Sequence, residues 1–138
     1  MEKIYTATVT ATGGRNGHVA SADKVVDFDF RYPKELGGAD SNHLNPELFF
    51  AAGYAACFDS ALNRIIGLEK VKTGTTIVTA RVSLGKLDAS RFGLGVDLEI
   101  EVPGVERAVA EELVQKAHAI CPYSNATRGN IEVNLIVK

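Results

Sequence analysis

The sequence predicts an α+β fold with mostly antiparallel sheets, a long buried central helix and a second, amphipathic helix. The first observation is the segment 45–67, which carries helix-boundary residues at both ends and no charge between Leu48 and Phe58. The second is the strand-like alternation of apolar and polar residues in several other segments. The third is the helical period of apolar residues over 105–120. We therefore expect the order βββ-α-ββ-α-β in a single domain over residues 1–138.

Three strands are expected before the long helix. Residues 3–12 alternate in the strand period, and the turn at 13–17 ends in Asn-Gly, a dipeptide typical of hairpins. A second short strand is therefore predicted over 18–21. Residues 24–32 alternate again, which predicts a third strand with Val26, Phe28 and Phe30 pointing inward.

The long helix has clear boundary residues. Asn45 can accept a bond from a free amide of the first turn, and Pro46 suits the first helical position. Glu47 places a negative charge at the positive end of the helix, and Gly67 is a plausible C-terminal stop. The uncharged stretch between them leaves no polar stripe, so most of this helix is expected to be buried.

The elements after the long helix follow from turn residues and periodicity. They are a strand over 75–87, a turn over 88–91, a strand over 92–102, a helix over 105–120, a loop over 123–129 and a last strand over 130–138. Pro122 forces Cys121 out of the helical region, so the second helix is expected to stop there.

Composition and charge exclude several classes of function. A net charge of −2 gives no indication of a nucleic-acid or acidic-membrane partner. The N-terminus has no apolar signal segment, and the central apolar run is too short to span a bilayer, so a cytoplasmic location is expected. The only cysteines, Cys57 and Cys121, lack CxxC spacing and neighbouring paired histidines, so no metal site is expected.

Cys57 lies in the middle of the long helix, where the small residues Gly53, Ser60 and Ala61 one turn away leave a notch beside its sulfur. Free cysteine is among the most buried residue types, so a role in core packing is the alternative to a chemical one. A reactive sulfur must ionise, and burial without a cation would raise the pKa of the thiol.

Two arginines could supply the cation that a Cys57 thiolate needs. Arg15 lies on a glycine-rich turn that is free to fold inward, and its several donors could bind peroxide oxygens. Glu47 would fix the guanidinium in place by a bidentate pair. Arg64 lies two turns from Cys57 on the same helix face and is the rival. The alternatives are a solvated turn for Arg15 and a helix-dipole residue for Glu47.

Three segments resemble those of a known family. The segment NPELFFAAGYAACF at 45–58 resembles the first cysteine motif of the organic hydroperoxide resistance proteins, and CPYSNATRGNIEVNL at 121–135 resembles their second. The turn GGRNG at 13–17 also matches. These proteins are a branch of the osmotically inducible protein C (OsmC) superfamily. The resemblance covers essentially the whole chain and implies the fold and the intertwined homodimer of that superfamily.

The resemblance also implies an enzyme, a thiol-dependent peroxidase that reduces alkyl and lipid hydroperoxides to alcohols in defence against oxidative stress. Cys57 matches the peroxidatic cysteine, which becomes a sulfenic acid, and Cys121 matches the resolving cysteine, which then forms a disulfide with it. Arg15 and Glu47 match the pair that holds the thiolate and orients the peroxide. No metal or bound organic cofactor is implied. The implied reductant is an external dithiol, dihydrolipoyl groups on a lipoylated protein or a small dithiol.

Aromatic residues near the helix notch predict an apolar substrate. Phe50, Tyr54, Phe58 and Tyr123 are the candidate substrate-binding residues, and such walls suit a hydroperoxide with a hydrocarbon tail. Two other classes stay open. One is a redox sensor with the same cysteines and little turnover, and the other is a lipid-binding protein with inert thiols.

The spacing of Glu47 and Cys57 favours a site shared between two chains. Ten residues of helix place them about 15 Å apart along its axis, whereas each contact of one arginine reaches only about 4 Å. Two such helices packed antiparallel across a two-fold axis would bring the Glu47 end of one towards Cys57 of the other. A symmetric partner would also cover the remaining apolar face of the helix.

Overall fold

The computed structural model describes residues 1–138, which form two three-stranded sheets and three α-helices. The chain forms two compact units, residues 1–49 and residues 50–138. The longest helix, α1 (Pro46–Glu69), begins in the first unit and continues through the second. None of the helices combines the length and apolar content that crossing a bilayer requires.

The first unit holds the sheet β1-β2-β3, in which both neighbouring pairs are antiparallel. Its strands are β1 (Thr10–Thr12), β2 (His18–Ala20) and β3 (Asp27–Asp29), with short 3₁₀ turns at Gly14–Asn16 and Lys34–Leu36.

Two of the predicted strands are much shorter than expected. The strand over 3–12 is wrong for residues 3–9, which have no ladder partner in the single chain and leave Ile4 93% exposed. The strand over 24–32 shrinks to three residues, and Phe28 is exposed although it was expected to point inward, whereas Phe30 is buried. Periodicity marks residues that can form a strand, but a strand also needs a neighbour for its backbone groups.

Helix α1 starts where the sequence predicts. The side-chain oxygen of Asn45 accepts a hydrogen bond from the Leu48 amide at 2.9 Å, so the predicted N-cap is present. Gly67 does not stop the helix, which runs to Glu69. Lys70 follows in the left-handed region, with φ of 54°, the conformation that commonly ends helices.

The burial of α1 is one-sided, contrary to the expectation that most of the helix is buried. Its buried residues recur at helical spacing along one face, and they are Tyr54, Phe58, Ala61, Leu62, Ile65 and Ile66. Near the two ends of the helix, Leu48 and Leu68 are exposed. A single chain therefore leaves apolar side chains of α1 in contact with solvent.

The second unit holds the sheet β4-β5-β6 and the other two helices. Its elements are β4 (Ile77–Lys86), β5 (Phe92–Glu101), α2 (Arg107–Ile120), α3 (Pro122–Thr127) and β6 (Glu132–Val137). Strands β4 and β5 are antiparallel, but β6 is parallel to β5. Parallel strands require a long crossover connection, and helices α2 and α3 provide it between β5 and β6.

The core of the second unit lies between its sheet and its helices. Leu98 and Ile100 of β5 pack with Leu113 and Val114 of α2 and with the buried face of α1. Helix α3 was not expected, since residues 123–129 were predicted as loop. The sequence signal for this start is Pro122, which occupies the first position of α3, and Cys121 before it is extended.

Candidate active site

The two cysteines lie in contact in the second unit. Their Sγ atoms are 3.6 Å apart, with the Cys121 thiol donating to the Cys57 sulfur, although the residues are 64 positions apart in the chain. Both are free, Cys57 is partly exposed, and Cys121 has no exposed surface. A small movement of either side chain would bring the two sulfurs to bonding distance.

Local structure fixes Cys121 at a junction between two helices. Its amide donates to the Ala117 carbonyl and closes α2, while its carbonyl accepts from the Asn125 amide and opens α3, both at 2.9 Å. Its extended backbone, with ψ of 125°, is the bend that Pro122 was predicted to impose. Cys57, by contrast, is held in the interior of α1.

The surroundings of Cys57 oppose ionisation of its thiol. Burial is the main cause that raises its pKa above the ordinary value, and the neighbouring Cys121 raises it further. The backbone amide of Tyr123, in the first turn of α3, acts in the opposite direction and lowers the pKa of Cys57. A thiolate at this position therefore needs further stabilisation by a positive charge.

Arg15 and Glu47 form a bidentate ion pair in the first unit. The two guanidinium nitrogens of Arg15 lie 2.7 and 2.5 Å from the two carboxylate oxygens of Glu47. Both side chains are largely shielded from solvent. The hydrogen bond to Glu47 raises the pKa of Arg15, and the hydrogen bond to Arg15 lowers the pKa of Glu47. The pair is therefore fully charged at neutral pH.

The turn that carries Arg15 has little freedom to change. Gly13 and Gly14 adopt left-handed φ angles of 79° and 61°, which other residues rarely accept. A Cβ added at Gly17 would lie 1.8 Å from the Thr12 carbonyl oxygen, so the backbone approaches too closely for any side chain.

The four predicted catalytic residues form two pairs. Arg15 with Glu47 lies in the first unit, and Cys57 with Cys121 lies in the second.

Two cavities of the second unit lie beside the cysteine segments. One, of about 630 Å³, is lined by Cys57, Ser60, Ala61, Arg64, Ile120 and Pro122. Arg64, the rival cation of the sequence analysis, therefore shares a cavity with the Cys57 thiol. The other, of about 310 Å³, is lined by Phe50, Tyr123, Ala126, Thr127 and Ile131 and is mainly apolar.

The four candidate substrate-binding aromatics divide into two groups. Phe50 and Tyr123 line the smaller cavity, and their rings lie 6.0 Å apart. Tyr54 and Phe58 have no exposed surface and line neither cavity, because both point into the core. A substrate contact for all four stays a prediction, and the single chain gives Tyr54 and Phe58 the position of core residues.

A buried polar cluster behind Cys121 was not anticipated. The hydroxyl of Tyr54 lies 3.0 Å from that of Ser124 and 3.3 Å from that of Thr127, and Ser124 also contacts the ring of His118. His118 was not among the predicted site residues, and Tyr54 was predicted only as an aromatic wall of the substrate pocket. The available signal was the spacing of Ser124 and Thr127, which share one face once Pro122 is recognised as a helix start.

Metal-binding side chains are not grouped in this structure. No set of three or more histidine, cysteine, aspartate or glutamate residues is placed to hold a metal ion.

Comparison with known proteins identifies the family. The family described as OsmC-like protein matches residues 37–136. The organic hydroperoxide resistance protein of Xanthomonas axonopodis pv. citri is 49% identical, over 96% of this chain and 93% of its own length. The organic hydroperoxide resistance protein OhrA of Bacillus subtilis is also 49% identical, over 99% of this chain and 97% of its own.

Solved structures agree with this assignment. The crystal structure of an organic hydroperoxide resistance protein from Elizabethkingia anophelis superposes with a TM-score of 0.96 at 57% identity, covering 100% of this chain and 99% of that one. OhrB of Bacillus subtilis gives a TM-score of 0.88 at 44% identity, covering 99% and 100%. The same fold and near-half identity over almost the full length show that this chain belongs to the OsmC-like family, among the organic hydroperoxide resistance proteins.

Proposed function

We propose that the protein is a thiol-dependent peroxidase that reduces organic hydroperoxides to alcohols. The observation that carries the proposal is the 3.6 Å approach of the Cys57 and Cys121 sulfurs, with only Cys57 open to solvent. A structural pair of buried thiols would not require one sulfur to be accessible. The names of the relatives, organic hydroperoxide resistance proteins, support the same substrate class.

The first step oxidises Cys57. Its thiolate attacks the distal oxygen of ROOH, the O–O bond breaks, and the sulfur becomes a sulfenic acid while the leaving alkoxide takes a proton to give ROH. Because burial raises the pKa of Cys57, the thiolate needs a cation. The proposed source is Arg15, which Glu47 already holds in a fixed orientation.

The second step closes the disulfide. The Cys121 sulfur attacks the Cys57 sulfenic acid, the S–O bond breaks, and water leaves. An external dithiol then reduces the disulfide by thiol exchange and is itself oxidised to a cyclic disulfide. We propose dihydrolipoyl groups as this reductant and a cytoplasmic location, where thiols are kept reduced.

The proposed substrate is bulky and apolar. Phe50, Tyr123 and Ile131 line a cavity beside Gly53, one turn from Cys57, and such a surface can bury a hydrocarbon tail. Hydrogen peroxide is small and strongly hydrated, so it gains nothing from these walls. Catalytic efficiency with cumene or fatty-acid hydroperoxide is expected to exceed that with hydrogen peroxide, and an equal or higher value with hydrogen peroxide would contradict this substrate class.

The test separates the two cysteines. Cys57→Ser is expected to abolish consumption of cumene hydroperoxide, because no thiolate remains to attack. Cys121→Ser is expected to consume about one equivalent and to stop at the sulfenic acid, which mass spectrometry detects as one added oxygen. The opposite pattern would reverse the assignment of the two residues.

The same experiment distinguishes the alternatives. Steady turnover with dihydrolipoamide supports the peroxidase, whereas disulfide formation without turnover would indicate a redox sensor. An intact dithiol after one equivalent of peroxide would indicate a lipid-binding protein with inert thiols.

A further inference from the structure

A buried hydrogen-bonded chain links α1 to α3 beside both cysteines. The Tyr54 hydroxyl bonds to Ser124 Oγ at 3.0 Å and to Thr127 Oγ1 at 3.3 Å. His118 Nδ1 lies 2.9 Å from Ser124 Oγ, and Thr127 Oγ1 donates to the Tyr123 carbonyl at 2.9 Å. Tyr54 and Ser124 have no exposed surface, so neither has water as an alternative partner.

Counting hydrogens gives this chain a direction. Each hydroxyl has one hydrogen to donate. If His118 Nδ1 carries a proton, it donates to Ser124, Ser124 donates to Tyr54, Tyr54 to Thr127, and Thr127 to the Tyr123 carbonyl. Each of these four contacts then has one hydrogen. If Nδ1 lacks a proton, three hydrogens serve four contacts and one contact has no hydrogen. The geometry therefore favours the Nδ1–H form of His118.

The chain joins the segments that carry the two reactive sulfurs. Tyr54 lies three residues before Cys57 on α1, and Ser124 lies three residues after Cys121 at the start of α3. The first turn of α3 also supplies the Tyr123 amide, which favours the ionised form of Cys57. A rotation of α3 would therefore change both the amide–sulfur contact and the 3.6 Å separation of the sulfurs.

Packing alone does not account for the Tyr54 hydroxyl. A phenylalanine would fill nearly the same volume, and a buried hydroxyl costs free energy unless it is bonded. No buried side-chain nitrogen or oxygen of the protein lacks a partner, so the cluster is fully satisfied. The hydrogen bonds of its hydroxyl are therefore what Tyr54 provides and a phenylalanine could not.

We propose that Tyr54 is a positioning residue, whose bonds to Ser124 and Thr127 hold α3 so that Cys121 stays within reach of Cys57 and the Tyr123 amide stays beside its sulfur. The residue touches neither peroxide nor reductant in this role, and acts through α3. The inference rests on the proposed peroxidase reaction for its consequence, but the positioning itself can be measured on the resting thiols.

The test uses Tyr54→Phe and Ser124→Ala in the full chain. The pH dependence of Cys57 alkylation by iodoacetamide reports thiolate formation without any peroxide. Loss of the amide contact is expected to move its midpoint upward by about half a pH unit or more. After one equivalent of cumene hydroperoxide, disulfide closure is expected to slow by about tenfold, because a displaced group loses its reactive geometry.

Two controls make the result specific. Ser90→Ala makes the same chemical change as Ser124→Ala in the exposed turn before β5 and should leave both readouts at wild-type values. The double variant Tyr54→Phe with Ser124→Ala should shift the midpoint no further than the larger single shift, because both changes break the same link.

Unchanged midpoint and closure rate in a folded Tyr54→Phe protein would overturn the proposal. If that variant does not fold, Ser124→Ala decides by the same two readouts. A shifted alkylation midpoint in a protein that never turns over peroxide would leave the positioning role standing and would count against the peroxidase instead.

Discussion

At the scale of single residues, Cys57 shows what the sequence can and cannot predict. Its small neighbours and its place in a helix interior are visible in the sequence, and so is the need for a cation. The 3.6 Å contact with Cys121 is not visible in local patterns, because 64 residues separate the two and only the packing of α2 and α3 brings them together. The family resemblance supplied that pairing.

Gly53 offers a prediction at this scale. A Cβ there would lie 2.8 Å from the Tyr123 hydroxyl oxygen and 3.2 Å from two ring carbons, so the ring of Tyr123 must move. Gly53→Ala is therefore expected to lower peroxidase activity by about tenfold. Gly67→Ala is the matched control, since its Cβ meets nothing within 4 Å in the same helix.

The two glycine variants should also differ in stability. Gly67→Ala is expected to raise the free energy of unfolding by up to about 1 kcal/mol, the helix-propensity gain. Gly53→Ala should gain less, because displacement of Tyr123 offsets it. Urea denaturation of both variants measures the difference. An equal gain and full activity in Gly53→Ala would show that Tyr123 moves freely and does not shape the site.

The Arg15–Glu47 pair predicts a pH dependence of stability. The pKa of Glu47 is lowered in the folded protein, mainly by its hydrogen bond to Arg15. Its stabilisation is therefore present above the unfolded pKa of about 4.5 and is lost as the pH falls through the lower, folded pKa. Arg15→Gln should cost about 1 kcal/mol near pH 7, and this difference from wild type should shrink below pH 4.5. A difference that stays constant with pH would contradict the ionic origin.

At the scale of elements, helices were predicted better than strands. The start of α1 at Asn45 and the end of α2 at Cys121 follow from local chemistry, an N-cap and the residue before a proline, and both are present. The extent of β1 and β3 and the parallel pairing of β6 depend on which backbone lies alongside, which periodicity does not encode. Helix α3 was missed because its six residues are too few to show a period.

The hairpin of β2 and β3 predicts a second pH effect. The two ring nitrogens of His18 lie 2.8 Å from Asp29 and 2.7 Å from Asp27, with Lys24 and Arg31 beside the carboxylates. The hydrogen bond to Asp29, then that to Asp27, raises the pKa of His18. This contribution is therefore complete below about pH 6.5 and is lost as the pH rises through the folded pKa.

An NMR titration of the imidazole checks this prediction. The pKa of His18 should exceed its ordinary value in wild type and fall in Asp29→Asn, and the amides of β2 and β3 should exchange faster once His18 is neutral. Asp23→Asn, which removes a carboxylate that bonds Ser21 instead, should leave the titration unchanged. An ordinary pKa in wild type would mean that the two contacts do not persist in solution.

At the scale of the whole molecule, the single chain leaves apolar surface and backbone uncovered. Ile4 and Tyr5 are almost fully exposed, residues 1–9 pair with nothing, and β4 is bonded on only one side. Leu48 and Leu68 of α1 also face solvent. A sheet edge and apolar side chains left open in this way are features that a symmetric partner covers. These features support the homodimer that the family resemblance implies. Periodicity could not show which of these surfaces stay uncovered in a single chain.

Subunit mixing tests whether such a dimer shares its active sites. Arg15 pairs with Glu47 of its own chain, so both members of each charged pair come from one chain. If that pair serves Cys57 of the partner, each site takes its pair from one chain and its thiols from the other.

Cys57→Ser and Glu47→Ala chains should each be inactive alone. Unfolded together and refolded, they should form mixed dimers in which one site has an intact pair and intact thiols. Random pairing makes about half of the refolded dimers mixed, and each mixed dimer has one active site out of two. About a quarter of wild-type activity is therefore expected.

A mixture of Cys57→Ser with Cys121→Ser provides the control, because both changes damage the thiol half and no mixed dimer then has full turnover at either site. A monomer in solution, or mixed dimers without recovery, would show that each chain holds its own site and that Arg15 must reach Cys57 within it.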